Sequence, residues 1–470
     1  MSIKKNFFYS SILTTSNYIF PLITYPYVSR VLGVSNIGLY NFADSIINYF
    51  SLFSMLGISI IGIREIAATQ NDAKKCNQTF SSLFFMNILF TSIALIFLIG
   101  AIYTIPELQR NEKLMHIGIL KLISNTLLID WFYKGLEKFR YITNITLIIK
   151  ILYVISVFIF IKEPDDYIMY YLLCTLMITI NAIANGIYAL KYVRISLKEI
   201  NIRKYIKTNI VLGMHALLTS MYSSFNIAYL GFITNSTEVG YYTTGTKLFT
   251  IIIAIYTAFT GVLQPRMSIL LAENKKEEFI SLIHKSITIL LTMSIPIIIF
   301  SCILTSDIIY IISGSGYEGA TVPTQIIMPL IFIIGYEQIL VIQVLTPLKK
   351  DKAILINSII GAITGIGLNI AIVKELLSIG SAIVWLSSEL IVLISAQYFV
   401  TQYTEISFPF KQVIKEILIY IPLAALLLTI NIYRPTYNPY LTLLLTSSIT
   451  LLYIVLVKKR FITFIIKKQL

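Results

Sequence analysis

The chain has 470 residues, 57% of them hydrophobic and only 13% charged, with a mean hydropathy of +0.81. A soluble protein this apolar could not cover its own surface with polar groups. The net charge of +14 would suit nucleic acid, but its distribution, given below, reads as membrane orientation, and no nucleic-acid partner is expected.

Crossing about 30 Å of hydrocarbon takes roughly 20 helical residues, and about fourteen apolar runs of that kind follow one another. The first, 7–29, places Thr14, Asn17, Pro21 and Thr24 on one helical face, and Pro21 and Pro26 invite a kink. It follows Lys4 and Lys5 as a signal peptide would, but its length and the lack of an A-x-A-like site make it a retained helix. The second, 37–63, carries Asn41, Asp44, Asn48 and Ser51 one turn apart. A carboxylate at mid-bilayer costs roughly 2.5–3.5 kcal/mol on insertion scales, so Asp44 must face water and partners rather than lipid.

Runs three to six, 79–105, 114–133, 141–161 and 167–190, contain Lys121, Asp130 and Lys150. The two lysines can snorkel or pair with a carboxylate, and Asp130, close to a boundary, can be solvated. The seventh run, 208–232, holds His215, Thr219, Tyr222, Ser223 and Asn226; the eighth, 239–264, holds Thr243, Lys247 and Thr250. Polar stripes of this kind serve as glue between packed membrane helices. Their recurrence on helices 1, 2, 7 and 8 favours a shared wet cavity. Runs nine to twelve, 280–304, 324–347, 353–373 and 379–400, include the deep carboxylates Glu337 and Glu389, with Pro296 and Pro329 as further hinge points. Two more, 413–432 and 441–457, close the chain.

Sliding the chain on itself by 202 residues sets Gly38-x-Tyr40 on Gly240-x-Tyr242 and Arg64 on Arg266. The expected architecture is therefore an all-α polytopic membrane protein with two six-helix bundles, 1–200 and 201–402, related as parallel repeats. Residues 403–470 would add two helices and a basic tail. Assigning Lys and Arg to alternating sides puts 27 on one face, six on the other and four within or at the edge of helices. By the positive-inside rule both termini are cytoplasmic.

Several chemistries find no support. Cys76 reads as a loop residue, Cys174 and Cys302 as helix residues, so no disulfide framework or metal site is expected. The Gly-x-Gly-x-x-Gly match "GSGYEG" at 314–319 follows a membrane helix instead of a strand and reads as a turn. With no Walker sequence, no cofactor is expected, and no loop exceeds about twenty residues, which argues against a catalytic module.

Pro26-Tyr-Val-Ser-Arg30-Val-Leu32-Gly33, then Gly38-Leu-Tyr-Asn-Phe-Ala43, then Gly62-Ile-Arg64-Glu65-Ile66-Ala67 resembles the N-terminal pattern of Wzx-type polysaccharide repeat-unit flippases. These belong to the multidrug/oligosaccharidyl-lipid/polysaccharide exporter superfamily. The resemblance spans roughly the first 400 residues and is densest before residue 80. It implies a flippase, not an enzyme, in the bacterial inner membrane, carrying undecaprenyl-pyrophosphate-linked oligosaccharide by alternating access for O-antigen or another surface polysaccharide. Membrane lipids, a polymerase and a chain-length regulator are the implied partners. The candidate cavity residues are Arg30, Asn41, Asp44, Asn48, Arg64, His215, Asn226, Lys247 and Arg266. Asp44, Glu337 and Glu389 are the candidates for coupling to an H+ or Na+ gradient. The alternatives are a cation-coupled multidrug antiporter, which calls for an acidic cavity without basic partners, and a polysaccharide polymerase.

Overall fold

The computed structural model describes residues 3–196, 200–433 and 438–468. Arg434 and Lys198, both counted in the charge asymmetry, lie outside them. Described residues sort into two compact units, Met1–Gly240 and Tyr241–Leu470.

In the first unit, α1 (Ile3–Met55) and α2 (Ile58–Thr69) form one apolar stretch of 62 residues from Phe8 to Thr69. At about 1.5 Å per residue, that is far longer than one membrane crossing. The helix is divided at Gly33, whose φ of 73° and ψ of 167° leave the helical region. A residue without a Cβ adopts that conformation cheaply. Pro21 and Pro26 stay inside the helix. α3 (Ala73–Thr104) is capped by Asp72, which accepts from the backbone N–H groups of Lys74 and Lys75, both at 3.1 Å. Short α4 (Pro106–Arg110) leads into α5 (Glu112–Leu127), α6 (Asp130–Gly135), α7 (Phe139–Phe160) and α8 (Tyr167–Ala189). The unit continues through α9 (Arg203–Ser223) and α10 (Phe225–Ile233), bent 47° to each other, to the start of α11 (Ser236–Ala272).

A core of Ile58, Ile61, Phe80, Leu83, Met86, Trp131 and Phe132 joins α2, α3 and α6. Gly62 lies so close to the Trp131 ring that a Cβ would overlap it. A second close approach is reciprocal. A Cβ on Gly38 would strike the carbonyl of Ser236, and one on Gly240 would strike the carbonyl of Val34. Each glycine thus packs on the residue four positions before the other. Both Val34 and Ser236, and Gly38 and Gly240, are 202 positions apart, the offset of the sequence match. The Ser35 and Ser236 hydroxyls hydrogen bond beside them at 2.7 Å.

The second unit holds most of α11, then α12 (Lys276–Ile303), α13 (Thr305–Ser313), α14 (Thr321–Ile327) and α15 (Leu330–Gln338). A wide π turn over Ile339–Leu345 follows. α16 (Asp351–Tyr403) is 53 residues long and broken at Leu377 (φ 53°, ψ −129°); α17 (Phe410–Tyr433) and α18 (Pro439–Lys468) end the unit. α17 and α18 are tied by Lys458, whose Nζ donates to Glu416 Oε1 at 2.5 Å and Oε2 at 2.7 Å. The 314–319 segment is a turn, with Gly314 and Gly316 at φ of 87° and 85°.

Among the described residues eleven helices are long and apolar enough to cross a membrane, or twelve if α9 and α10 form one span. The tally falls short of fourteen because α1–α2 and α16 each carry two of the apolar runs within one helical stretch. Large side chains such as Ile96, Phe97, Ile394 and Leu444 stand exposed on the outside, as a lipid-facing surface requires. Cys76 proves to be a buried residue of the first turn of α3, not a loop residue, and all three thiols are free.

Candidate functional site

The stripe on α1 acquires its meaning from α5. Lys121 Nζ forms an ion pair with Asp44 Oδ1 and donates to Asn48 Oδ1 at 3.1 Å, while Asn48 Nδ2 donates to Asp44 Oδ2 at 3.1 Å. Three groups therefore satisfy one another in a closed triangle. Only 11% of the Lys121 and 19% of the Asp44 side chain is exposed. One turn on, Asn125 Nδ2 donates to Ser51 Oγ at 3.2 Å, extending the polar seam between α1 and α5. Asn41, one turn before Asp44, is buried and donates to the Ile37 carbonyl at 2.8 Å.

A second polar group lies in the same unit. Lys150 on α7 donates to Ser16 Oγ at 2.9 Å and Asn17 Oδ1 at 2.5 Å on α1. Lys150 and Asn17 line a cavity of about 240 Å³ together with Thr14, Asp130, Lys134 and Asn181. Asp130, read from the sequence as a solvated boundary residue, accepts from the fully buried Asn185 at 3.0 Å and faces this cavity. The unit thus contains carboxylates, ammonium groups and neutral amides, all reached from α1. Such a set can accept bonds from hydroxyls and donate to anionic oxygens.

In the second unit the two deep carboxyls meet. Glu337 on α15 and Glu389 on α16 share a hydrogen bond, and Glu389 also accepts from Trp385 Nε1 at 3.0 Å. Glu337 lies two residues before the π turn, an irregularity that often marks functional positions in helices. Its neighbour Gln338 anchors the turn to α11, accepting from Thr260 Oγ1 and donating to Thr257 Oγ1, both at 3.0 Å.

The remaining sequence candidates are dispersed. Asn226 is fully buried in α10 and donates to the Tyr222 carbonyl at 3.3 Å. His215 is exposed on α9, Arg30 is exposed on α1, and Lys247 is half-buried on α11 in the second unit. Arg64 pairs with its neighbour Glu65 at 3.0 Å and Arg266 with Glu278 at 3.7 Å, all with partly or largely exposed side chains. Sequence reasoning passed over Lys121, Lys150 and Asp130 as site residues. The signal for them was the presence of isolated cations in apolar runs close to runs with unpaired acceptors. Among the described residues no group of three or more His, Cys, Asp or Glu could hold a metal ion.

Residues 3–271 match the family described as polysaccharide biosynthesis protein. The chain belongs to that family. A relative from Escherichia coli (strain K12), named "Putative O-antigen transporter", is 26% identical over 399 residues, covering 83% of this chain and 95% of its own length. A protein of the same name from Shigella dysenteriae is 25% identical over 255 residues, covering 52% of this chain and 62% of its own. Among solved structures, the lipid II flippase MurJ in an inward closed conformation aligns with a TM-score of 0.76 at 15% identity, covering 96% of this chain and 99% of that one. An inward-facing multidrug resistance MATE family transporter of the MOP superfamily aligns at 0.65 and 13% identity, over 82% and 93%. At these identities the structural likeness shows the fold alone, that of a polytopic helical membrane protein.

Proposed function

We propose that this family member moves a lipid-linked oligosaccharide across the membrane by alternating access, acting as a flippase and not as an enzyme. The observation that carries this reading is the pairing of Asp44 with Lys121 inside a helical unit of a polysaccharide biosynthesis protein. The barrier to be overcome is the passage of sugar hydroxyls and a pyrophosphate through hydrocarbon, since the polyprenyl tail can stay in lipid. Carboxylates and amides suit the hydroxyls, and ammonium groups suit the pyrophosphate. The O-antigen relatives and the lipid II flippase support the same cargo class, with undecaprenyl pyrophosphate as the carrier. In this reading Arg30, Arg64 and Arg266 meet the pyrophosphate at either end, while Asn41, Asn48, His215, Asn226 and Lys247 line the path.

The internal duplication is part of the proposal, supported by the reciprocal contacts of Gly38 and Gly240. So is coupling to an ion gradient. In this reading the Glu337–Glu389 pair is the candidate for the coupling ion, H+ or Na+. Location in the inner membrane with both termini cytoplasmic rests on the basic-residue asymmetry, and a polymerase and chain-length regulator would receive the flipped product. The multidrug-antiporter reading fits the MATE likeness but requires an acidic cavity, which Lys121 and Lys150 oppose.

Deleting the gene in its own host tests the proposal. Loss of surface polysaccharide with intact lipid-linked repeat units facing the cytoplasm is the expected result. Single repeat units that still reach the surface without chain growth would make the protein a polymerase. An unchanged glycan with accumulation of toxic cations would make it an antiporter.

A further inference from the structure

A groove of about 700 Å³ lies in the first unit, apart from the polar seam of α1. It is formed where the turn after α2 and the turn between α6 and α7 meet the first turns of α7 and the end of α8. Its polar wall carries Lys138, Arg140 and Asn144, and its floor is a tyrosine stack in which the Tyr141 and Tyr188 rings lie 3.8 Å apart at 16°. Lys138 sits over the Tyr192 ring at 5.2 Å, and Lys191 over Tyr188 at 5.1 Å. The one acidic lining residue, Glu137, accepts from Asn6 Nδ2 at 3.0 Å. Arg140 is exposed and, among the described residues, has no ion pair or hydrogen bond.

The other end of the groove is apolar. Ile145 and Ile148 line it, and the exposed faces of Ile148, Ile151, Leu152 and Ile155 continue along α7 at helical spacing. Basic groups and tyrosine hydroxyls at the end of a spanning helix, with a strip of exposed isoleucine running into the span, match the two halves of a phospholipid. We propose that this groove is a binding site for an anionic phospholipid, with the headgroup phosphate against Lys138 and Arg140 and an acyl chain along Ile148 to Ile155. The charge balance of the wall selects an anionic headgroup over a zwitterionic one. Neither the groove nor this argument depends on the transport reading.

The test uses the full chain, purified in detergent and examined by native mass spectrometry with dioleoyl phosphatidylglycerol or dioleoyl phosphatidylcholine. The expected result is retained phosphatidylglycerol adducts and at least about tenfold weaker retention of phosphatidylcholine. The Lys138→Gln/Arg140→Gln variant should lose about 25-fold in phosphatidylglycerol retention, at about fivefold per basic group. Lys275→Gln/Lys276→Gln, at the start of α12, should retain as much as the unaltered chain. Equal retention of the two lipids by the unaltered chain overturns the proposal, whether or not the variant folds. Unchanged retention in the Lys138/Arg140 variant also overturns it, as does displacement of the adduct by millimolar inorganic phosphate, which would make this a free-phosphate site.

Discussion

Lys121 and Asp44 stand 77 positions apart in the chain and form an ion pair between α5 and α1, with Asn48 bonded to both. Removing one member strands the other charge. Asp44→Asn or Lys121→Met alone is expected to cost about 3 kcal/mol of stability, the lower end of the range for breaking a buried pair. The double variant should recover much of that loss, as measured by thermal unfolding in detergent. Export at low expression separates structure from transport. A double variant that is stable yet exports nothing supports cargo contact, and one that exports normally removes both residues from the cavity.

The reciprocal glycines make a steric prediction. Gly38→Ala and Gly240→Ala each put a methyl group into a backbone carbonyl, which cannot move aside as a flexible side chain would. Each is expected to destabilise by about 1–3 kcal/mol, the usual cost of overpacking. Gly100→Ala, where a Cβ would meet nothing within 4 Å, should be neutral or stabilising. Comparing the three melting temperatures checks this.

The carboxyl pair bears on coupling. Glu337→Gln/Glu389→Gln keeps two hydrogen-bonding groups of the same shape and removes both ionisable ones. In proteoliposomes with an imposed pH gradient, the variant should lose gradient-driven flipping while still binding cargo. Retained dependence on the proton gradient would take the pair out of the coupling mechanism.

Much of this was legible in the sequence because a membrane-spanning helix is written as an uninterrupted apolar run. The stripe containing Asp44 and Asn48 was legible for the same reason: helical spacing is local. What could not be read was which distant cation answers Asp44, since Lys121 reaches it only through the packing of α5 on α1. The meeting of Glu337 and Glu389 was hidden likewise. The helix breaks also fell elsewhere than the prolines indicate. Pro21 and Pro26 remain inside α1, while the backbone leaves the helix at Gly33, where the missing Cβ permits it, and at Leu377.

The α3 cap carries a pH signature. The backbone N–H of Lys75, with that residue's side chain and the N–H of Lys74, holds the Asp72 carboxyl below its ordinary range. A depressed carboxylate stabilises fully above its unfolded value, near pH ~4, and loses that contribution as pH falls through the lowered folded value. Exchange protection at Lys74 and Lys75 should therefore drop in acid. Asp72→Asn, which caps without ionising, should flatten the dependence.

The Asp44–Lys121 pair also has an electrical consequence. An ion pair has no net charge, so a movement of α1 and α5 with the pair intact does no work against the membrane potential. An unpaired Asp44 would feel about 2.3 kcal/mol per 100 mV on crossing the full field. With the pair closed, any voltage dependence of turnover must come from other charges, and the polar seam between α1 and α5 is electrically silent.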